Sequence, residues 1–69
     1  MKVLVIGCNG MLGHMLSLYL KELGHNVTGF AHNKSPFIPT CTGDIEDKDL
    51  IEYLITKNDY DVIINCTVV

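Results

Sequence analysis

The sequence predicts an α/β fold with a parallel sheet, and three observations support this prediction. Residues 3–6 form a continuous apolar run, and the next segment has apolar residues at helical spacing. A second helical segment and a second apolar run follow, at residues 50–55 and 61–65. Strands buried on both faces have unbroken apolar runs, and strands that alternate with helices form parallel β-α-β units.

Val3 to Ile6 is the first predicted strand, and the helix after it carries apolar residues three and four positions apart. We expect this stripe to pack on the sheet. Its members are Leu12, Met15, Leu16, Tyr19, Leu20 and Leu23. Gly24 is predicted to end the helix as its C′ residue, with Lys21 in the last turn beside the free carbonyl groups.

Asn26 to Ala31 is the second predicted strand, and the segment after it contains Pro36 and Pro39, which break regular structure. This segment is shorter than the ten or so residues that a helical crossover needs, so we expect a loop in place of the helix. A short third strand is predicted within residues 37–42.

The last part of the chain is predicted to form a helix and another buried strand. The acidic segment 44–49 precedes the apolar positions of the helix, so its acids lie near the positive amino end. Residues 61–65, with the sequence DVIIN, form the strand. The predicted order is βαβ(β)αβ, which is about one mononucleotide-binding half of a doubly wound, Rossmann-type fold.

Size and composition limit the function. The chain has 69 residues, so we assign residues 1–69 to one partial domain. A net charge of −3, no Arg and five scattered Lys exclude electrostatic binding of nucleic acid or an anionic membrane. No apolar run approaches the roughly 18 residues of a membrane span. The three cysteines form no CxxC pair, which favours a reducing, cytoplasmic location.

Gly7, Gly10 and Gly13 lie between the first strand and its helix, in the pattern GxxGxxG. Gly7 can adopt backbone angles that other residues avoid, and Gly10 leaves room for a phosphate beside the main chain. Gly13 lets the helix pack close to the strand. Because the start of a helix offers free N–H groups to a diphosphate, the loop predicts dinucleotide binding. The alternative is a tight turn without a ligand.

Other residues that could carry chemistry have simpler interpretations. Cys8 lies at the amino end of the first helix, where a thiolate is stabilised, but we expect it to be a small packing residue. His14 and His25 have no carboxylate or nucleophile as a partner, so we expect surface or turn roles. The acidic residues are expected to cap the second helix and not to bind a cation. They are Asp44, Glu46, Asp47 and Asp49.

The glycine pattern after the first strand resembles that of the extended short-chain dehydrogenase/reductase family. The local form GCNGMLG, residues 7–13, is similar to the dTDP-4-dehydrorhamnose reductase branch. The segments TGDIEDKD and DVIINC fit the same pattern. The resemblance extends over the whole chain, which would correspond to about the first quarter of such an enzyme.

The resemblance implies cofactor-binding roles at single positions. The three glycines would face the diphosphate, with the N–H groups of Met11 and Leu12 nearby. Asp44 and Ile45 would contact the adenine, and Asp44 would accept a hydrogen bond from its amino group. The segment after the fourth strand would lie along the cofactor. Its residues are Asn65, Cys66 and Thr67. The last two replace the family's usual Ala or Gly, which leaves the backbone course open there.

The end of the second strand bears on the choice between NAD and NADP. An acidic residue about 20 positions after the glycine loop would bind the ribose 2′-hydroxyl of NAD. The sequence here is FAHNK, residues 30–34, and it contains no acid. His32 and Lys34 could bind a 2′-phosphate, so NADP is the expected cofactor and NAD the alternative. Arg, the better phosphate ligand, is absent, and the two residues could equally be solvated.

We expect the chain to be the cofactor-binding first part of an NADP-dependent oxidoreductase that reduces a nucleotide-linked 4-keto sugar. Its partners would be NAD(P)H and that sugar, and a homo-oligomer is left open. The resemblance implies that the family's catalytic Tyr and Lys lie well beyond the region corresponding to residue 69, so no catalytic or metal-binding residue is assigned. The alternative is a non-catalytic NAD(P)-binding regulatory or redox-sensor protein of the same family.

Overall fold

The computed structural model describes residues 1–67. The elements follow in the order β1 (Lys2–Ile6), α1 (Met11–Glu22), β2 (Asn26–Ala31), β3 (Thr40–Thr42), α2 (Lys48–Lys57) and β4 (Val62–Asn65). The strands form one sheet in the order β3-β2-β1-β4, and every neighbouring pair is parallel. The predicted α/β class, the order of elements and the loop between β2 and β3 are confirmed.

β1 is an interior strand of the described sheet, and its residues from Val3 to Ile6 are buried. Val3 and Val5 pack on one face of the sheet, where Leu20 of α1 joins them. Leu4 and Ile6 pack on the other face around the fully buried Phe30, together with apolar residues of α2. The two helices therefore cover opposite faces, which is why β1 has an unbroken apolar sequence.

The predicted packing of α1 is wrong for most of its apolar stripe. Four of the predicted residues are between 57% and 67% exposed: Leu12, Met15, Tyr19 and Leu23. The helix instead meets the sheet through Gly13 and Ser17, which are its buried positions, and through Leu20. Ser17 donates a hydrogen bond from Oγ to the Gly13 carbonyl oxygen at 2.6 Å. Because small residues line this face, the helix approaches the sheet closely and its larger side chains point outward.

α1 ends in a left-handed turn at Gly24, as predicted. Leu23 is the C-cap and Gly24 has a φ of +90°. The Gly24 N–H donates to the Lys21 carbonyl at 3.0 Å, and the His25 N–H donates to the Leu20 carbonyl at 3.1 Å. These two bonds form a Schellman motif, which satisfies carbonyl groups that the helix leaves free.

The connection from β2 to β3 is a structured loop. The Ser35 N–H donates to Thr40 Oγ1 at 3.0 Å. Lys21 Nζ donates to the Phe37 carbonyl at 2.7 Å, and the rings of His14 and Phe37 lie 5.2 Å apart. The loop is thus fixed to α1, and β3 occupies only the second half of the segment predicted for it.

Two of the four acidic residues, Asp47 and Asp49, have the roles predicted for them at the amino end of α2. Asp47 is the N-cap, and its Oδ1 accepts a hydrogen bond from the Leu50 N–H at 3.1 Å. Asp49 lies in the first turn, where the helix dipole favours negative charge. Within residues 1–67, no three His, Cys, Asp or Glu side chains are grouped to hold a metal ion.

The prediction that β4 is a buried strand is wrong for the described part of the chain. Val62 and Ile63 are 36% and 41% exposed. The reason is that β4 pairs with β1 and lies at one edge of the sheet that residues 1–67 form. Between residues 1 and 67, neither helix has the length and apolar character needed to cross a bilayer.

Candidate cofactor-binding site

The glycine loop lies at the carboxyl end of β1 and begins with a left-handed residue. Gly7 has a φ of +84°, a conformation that side chains disfavour. Its N–H donates to the Phe30 carbonyl of β2 at 2.7 Å, and its own carbonyl accepts the Gly10 N–H at 3.1 Å. These bonds fix the turn between β1 and α1 on both sides.

Gly10 is the N-cap of α1 and leaves open space in front of the helix. Among the atoms of residues 1–67, a Cβ at Gly10 would meet only the Gly7 carbonyl oxygen, at 3.5 Å, which is ordinary contact. In the part of the chain that the structure describes, no side chain caps the helix, and no acidic residue lies in its first turn. The first N–H groups of the helix, those of Met11 and Leu12, therefore keep their capacity to bind an anion.

Gly13 lies beneath the loop and has no free space. A Cβ there would overlap the Gly7 carbonyl oxygen and would lie 2.9 Å from the Gly7 carbonyl carbon and 3.1 Å from Cys8 Cα. Its contacts agree with the packing role that the sequence predicts for it.

Two cavities open on either side of Gly10. The β2-side cavity has a volume of about 400 Å³ and lies at the carboxyl end of β2. The β4-side cavity has a volume of about 500 Å³ and lies between the end of β4 and the start of α1. Gly10, Cys66 and Thr67 line both cavities. The two spaces therefore meet at the point where the helix N–H groups are free.

The structure brings most of the predicted site residues to these cavities. Gly7, His32 and Ile45 line the β2-side cavity. Met11, Leu12 and Asn65 line the β4-side cavity. Asn65 Oδ1 accepts the Thr67 N–H at 3.0 Å and so fixes the turn after β4.

Asp44 and Lys34 lie outside the lining of both cavities. Both are exposed, and Asp44 Oδ1 accepts a hydrogen bond from the Glu46 N–H at 2.9 Å. One carboxylate oxygen of Asp44 thus orders the segment before α2. The cofactor contacts of Asp44 and Lys34 stay predictions.

Several lining residues were not predicted. Asn9, Ala31 and Asn33 line the β2-side cavity, and Met15 lines the β4-side cavity. Because Ala31 and Asn33 flank the predicted His32 at the end of β2, their place in the sequence could have been used to predict them as lining residues. Asn9 donates from Nδ2 to the Asn33 carbonyl at 2.7 Å, a contact over 24 residues that no sequence pattern indicates.

The ionisable side chains that line the β2-side cavity determine its electrostatic character. Among residues 1–67, no Asp or Glu lines this cavity. His32 and the Cys66 thiol are the ionisable side chains among its described lining residues. A cavity with this lining places no carboxylate against a phosphate group.

Cys8 has a structural role. It is 1% exposed and packs over Gly29, where a Cβ would lie 2.9 Å from Cys8 Cβ. Burial raises the pKa of the Cys8 thiol, and hydrogen bonding, first from the Thr40 side chain, opposes this rise only in part. The thiol is therefore protonated at neutral pH, as expected for a packing residue.

We expect Cys8 to react with iodoacetamide about tenfold or more slowly than Cys41 and Cys66 at pH 8. Both its burial and its raised pKa reduce the accessible thiolate, whereas the other two cysteines are half-buried. Timed alkylation of the native protein followed by peptide mass spectrometry measures the three rates. Alkylation in urea serves as the control, since the rates should converge there. A native Cys8 rate equal to that of Cys66 would contradict the packing role.

Comparisons with known proteins agree with this geometry. Residues 3–69 match the NAD dependent epimerase/dehydratase family. The probable low-salt glycan biosynthesis reductase Agl14 of Haloferax volcanii is 37% identical over 68 residues. That alignment covers 96% of this chain and 23% of the reductase. The chain thus spans about a quarter of the length of this curated relative.

Solved structures share the fold. The Bordetella bronchiseptica enzyme WbmH in complex with NAD+ has a TM-score of 0.81 and 23% identity, over 99% of this chain and 26% of WbmH. A dTDP-glucose 4,6-dehydratase from Bacillus anthracis in complex with NAD has a TM-score of 0.79 and 21% identity, over 100% and 27%. At these identities the similarity shows the fold alone, and it confirms the Rossmann-type class. The match over residues 3–69 shows that the chain belongs to the NAD dependent epimerase/dehydratase family.

Proposed function

We propose that this chain is the cofactor-binding amino-terminal part of a reductase that acts on a nucleotide-linked 4-keto sugar, similar to dTDP-4-dehydrorhamnose reductase. The observation that carries the proposal is the pair of cavities that meet at Gly10, in front of free helix N–H groups. The chain corresponds to about a quarter of the length of its curated relative. The substrate and the activity of the whole protein are therefore part of the proposal.

The residues fit a dinucleotide. A nicotinamide dinucleotide consists of two nucleosides joined by a diphosphate, and the site consists of two cavities joined at a glycine. The diphosphate would lie beside Gly10, because any side chain there would project into the space it needs. Its negative charge would face the N–H groups of Met11 and Leu12.

The lining of each cavity supports an orientation. Ala31 and Ile45 give the β2-side cavity apolar surface for an adenine ring, and His32 lies at the end of β2 near the ribose position. The β4-side cavity would receive the nicotinamide half along Asn65 and Thr67. Bound there, the reduced cofactor would supply a hydride to the sugar carbonyl carbon.

The preference for NADP is part of the proposal. A carboxylate at the end of β2 would accept a ribose hydroxyl and would repel a 2′-phosphate. The described lining of the β2-side cavity contains no carboxylate, and His32 offers a hydrogen-bond donor in its place. NAD stays the alternative, since the structural neighbours named above were solved with NAD.

The reaction class is supported by the 37% identical relative, a probable low-salt glycan biosynthesis reductase. We assign the catalytic Tyr and Lys to the part of the protein outside these 69 residues. We also infer a cytoplasmic location, because all three cysteines are free thiols, as a reducing compartment maintains them.

Titration of NADPH and NADH into the complete protein by calorimetry tests the cofactor assignment. We expect both to bind, with NADPH the tighter ligand. Tighter NADH binding would overturn the NADP preference, and no binding of either would overturn the dinucleotide site. NADPH oxidation in the presence of dTDP-4-keto-6-deoxy sugars tests the reaction. Cofactor binding without turnover of any such sugar would instead favour a regulatory protein.

A further inference from the structure

Asn9 joins the two loops that form the β2-side cavity. It lies in the glycine loop, lines the cavity and donates from its side-chain amide to the main-chain carbonyl of Asn33 at 2.7 Å. A carbonyl oxygen can only accept a hydrogen bond, so the Asn9 amide must present its nitrogen to Asn33. The orientation of this side chain is therefore fixed by its partner.

This bond holds a segment that has little other support. The loop after β2 is anchored further along the chain, by the hydrogen bonds of the Ser35 N–H and the Phe37 carbonyl, and β2 itself ends at Ala31. Within residues 1–67, the bond from Asn9 is the only hydrogen bond in which the main chain of residues 32–34 takes part. These three residues include His32 and Asn33, which line the cavity.

We propose that Asn9 is a positioning residue that fixes residues 32–34 against the glycine loop and thereby sets how well the site distinguishes a ribose 2′-phosphate from a 2′-hydroxyl. The inference rests on the proposed dinucleotide function. Residues directly after the second strand face the ribose 2′ position in this type of fold. Their polar groups discriminate between the two ligands only while the main chain that carries them is held in place.

The test compares Asn9→Ala with Asn58→Ala in the complete protein. Asn58 is a matched control, because its Nδ2 also donates to a main-chain carbonyl, that of Leu54, at 3.0 Å and away from both cavities. Dissociation constants are measured for NADPH, NADH and reduced nicotinamide mononucleotide. Thermal unfolding of each variant reports any general loss of stability.

We expect Asn9→Ala to weaken NADPH and NADH binding about three- to tenfold and to move the ratio of their dissociation constants towards one. Binding of the reduced mononucleotide, which lacks the adenosine half, should not change. Asn58→Ala should leave all three constants unchanged, even where it lowers the unfolding temperature as much.

Three results would overturn the positioning role. They are an unchanged NADPH to NADH ratio in Asn9→Ala, equal weakening of all three ligands, and the same affinity losses in Asn58→Ala. These results differ from failure of the proposed function, in which the wild-type protein itself would bind neither dinucleotide.

Discussion

Replacing Gly13 by alanine is expected to lower the free energy of unfolding by about 2 kcal/mol or more, although alanine is the better helix former. Gly13 is buried where α1 crosses the glycine loop, and a Cβ there would overlap the Gly7 carbonyl group. The loop cannot move aside easily, because the Gly7 N–H is bonded to Phe30 and its carbonyl to Gly10. The contact is main chain against Cβ, so no change of rotamer relieves it.

Urea unfolding followed by far-UV circular dichroism measures this loss. Gly10→Ala is the matched control, because its Cβ would make only ordinary contact and the N-cap change costs about 1 kcal/mol or less. Helix propensity alone would make Gly13→Ala more stable than the wild type by roughly 1 kcal/mol. A stabilised or unchanged Gly13→Ala variant would therefore contradict the close packing of α1 on the loop.

The elements of this fold could be predicted because short-range patterns decide them. The apolar run of β1 and the glycine after α1 are each visible in a few consecutive residues, and each has a physical explanation. Val3 to Ile6 is buried by neighbours on both sides, and Gly24 adopts a φ of +90° that few other residues tolerate. Such features depend on a few consecutive residues, so the sequence contains the information needed.

The face that α1 turns to the sheet could not be predicted in the same way. Apolar periodicity indicates which side chains would gain by burial, and it pointed to Leu12, Met15 and Tyr19 among others. The helix instead packs through Gly13 and Ser17, because a close approach selects small side-chain volume. Neither residue contributes to a hydrophobic stripe, so these two packed positions left no apolar signal, whereas Leu20, which also packs on the sheet, belonged to the predicted stripe.

The site was predictable where the ends of parallel strands meet. The segments after β1, β2 and β4 converge at one edge of the sheet, and this brings Gly7, His32 and Thr67 to one cavity. The direction of a side chain in a loop could not be predicted. Asp44 turns its carboxylate to the Glu46 N–H, and Asn9 bonds to a residue 24 positions away.

Replacing Gly10 by alanine is expected to leave the protein folded and to weaken NADPH binding about ten- to a hundredfold. Within the described part of the chain, the atom nearest to the new Cβ is the Gly7 carbonyl oxygen at 3.5 Å, so the loss of folding stability is small. The same Cβ would project into the space where the two cavities join, which the diphosphate would occupy. A steric conflict of about 1–3 kcal/mol with a ligand held by main-chain N–H groups corresponds to this loss of affinity.

Calorimetric titration of NADPH into the Gly10→Ala protein measures the effect, and Gly24→Ala is the control. Apart from its chain neighbours, no described residue has an atom within 4 Å of the Cβ position of Gly24, which lies at the other end of α1. Gly24→Ala should therefore lose stability through its left-handed backbone and keep its affinity for NADPH. The two variants separate an effect on folding from an effect on binding, because Gly24 is required for the backbone conformation and Gly10 for the ligand. If Gly10→Ala bound NADPH as tightly as the wild type, the diphosphate could not lie beside Gly10.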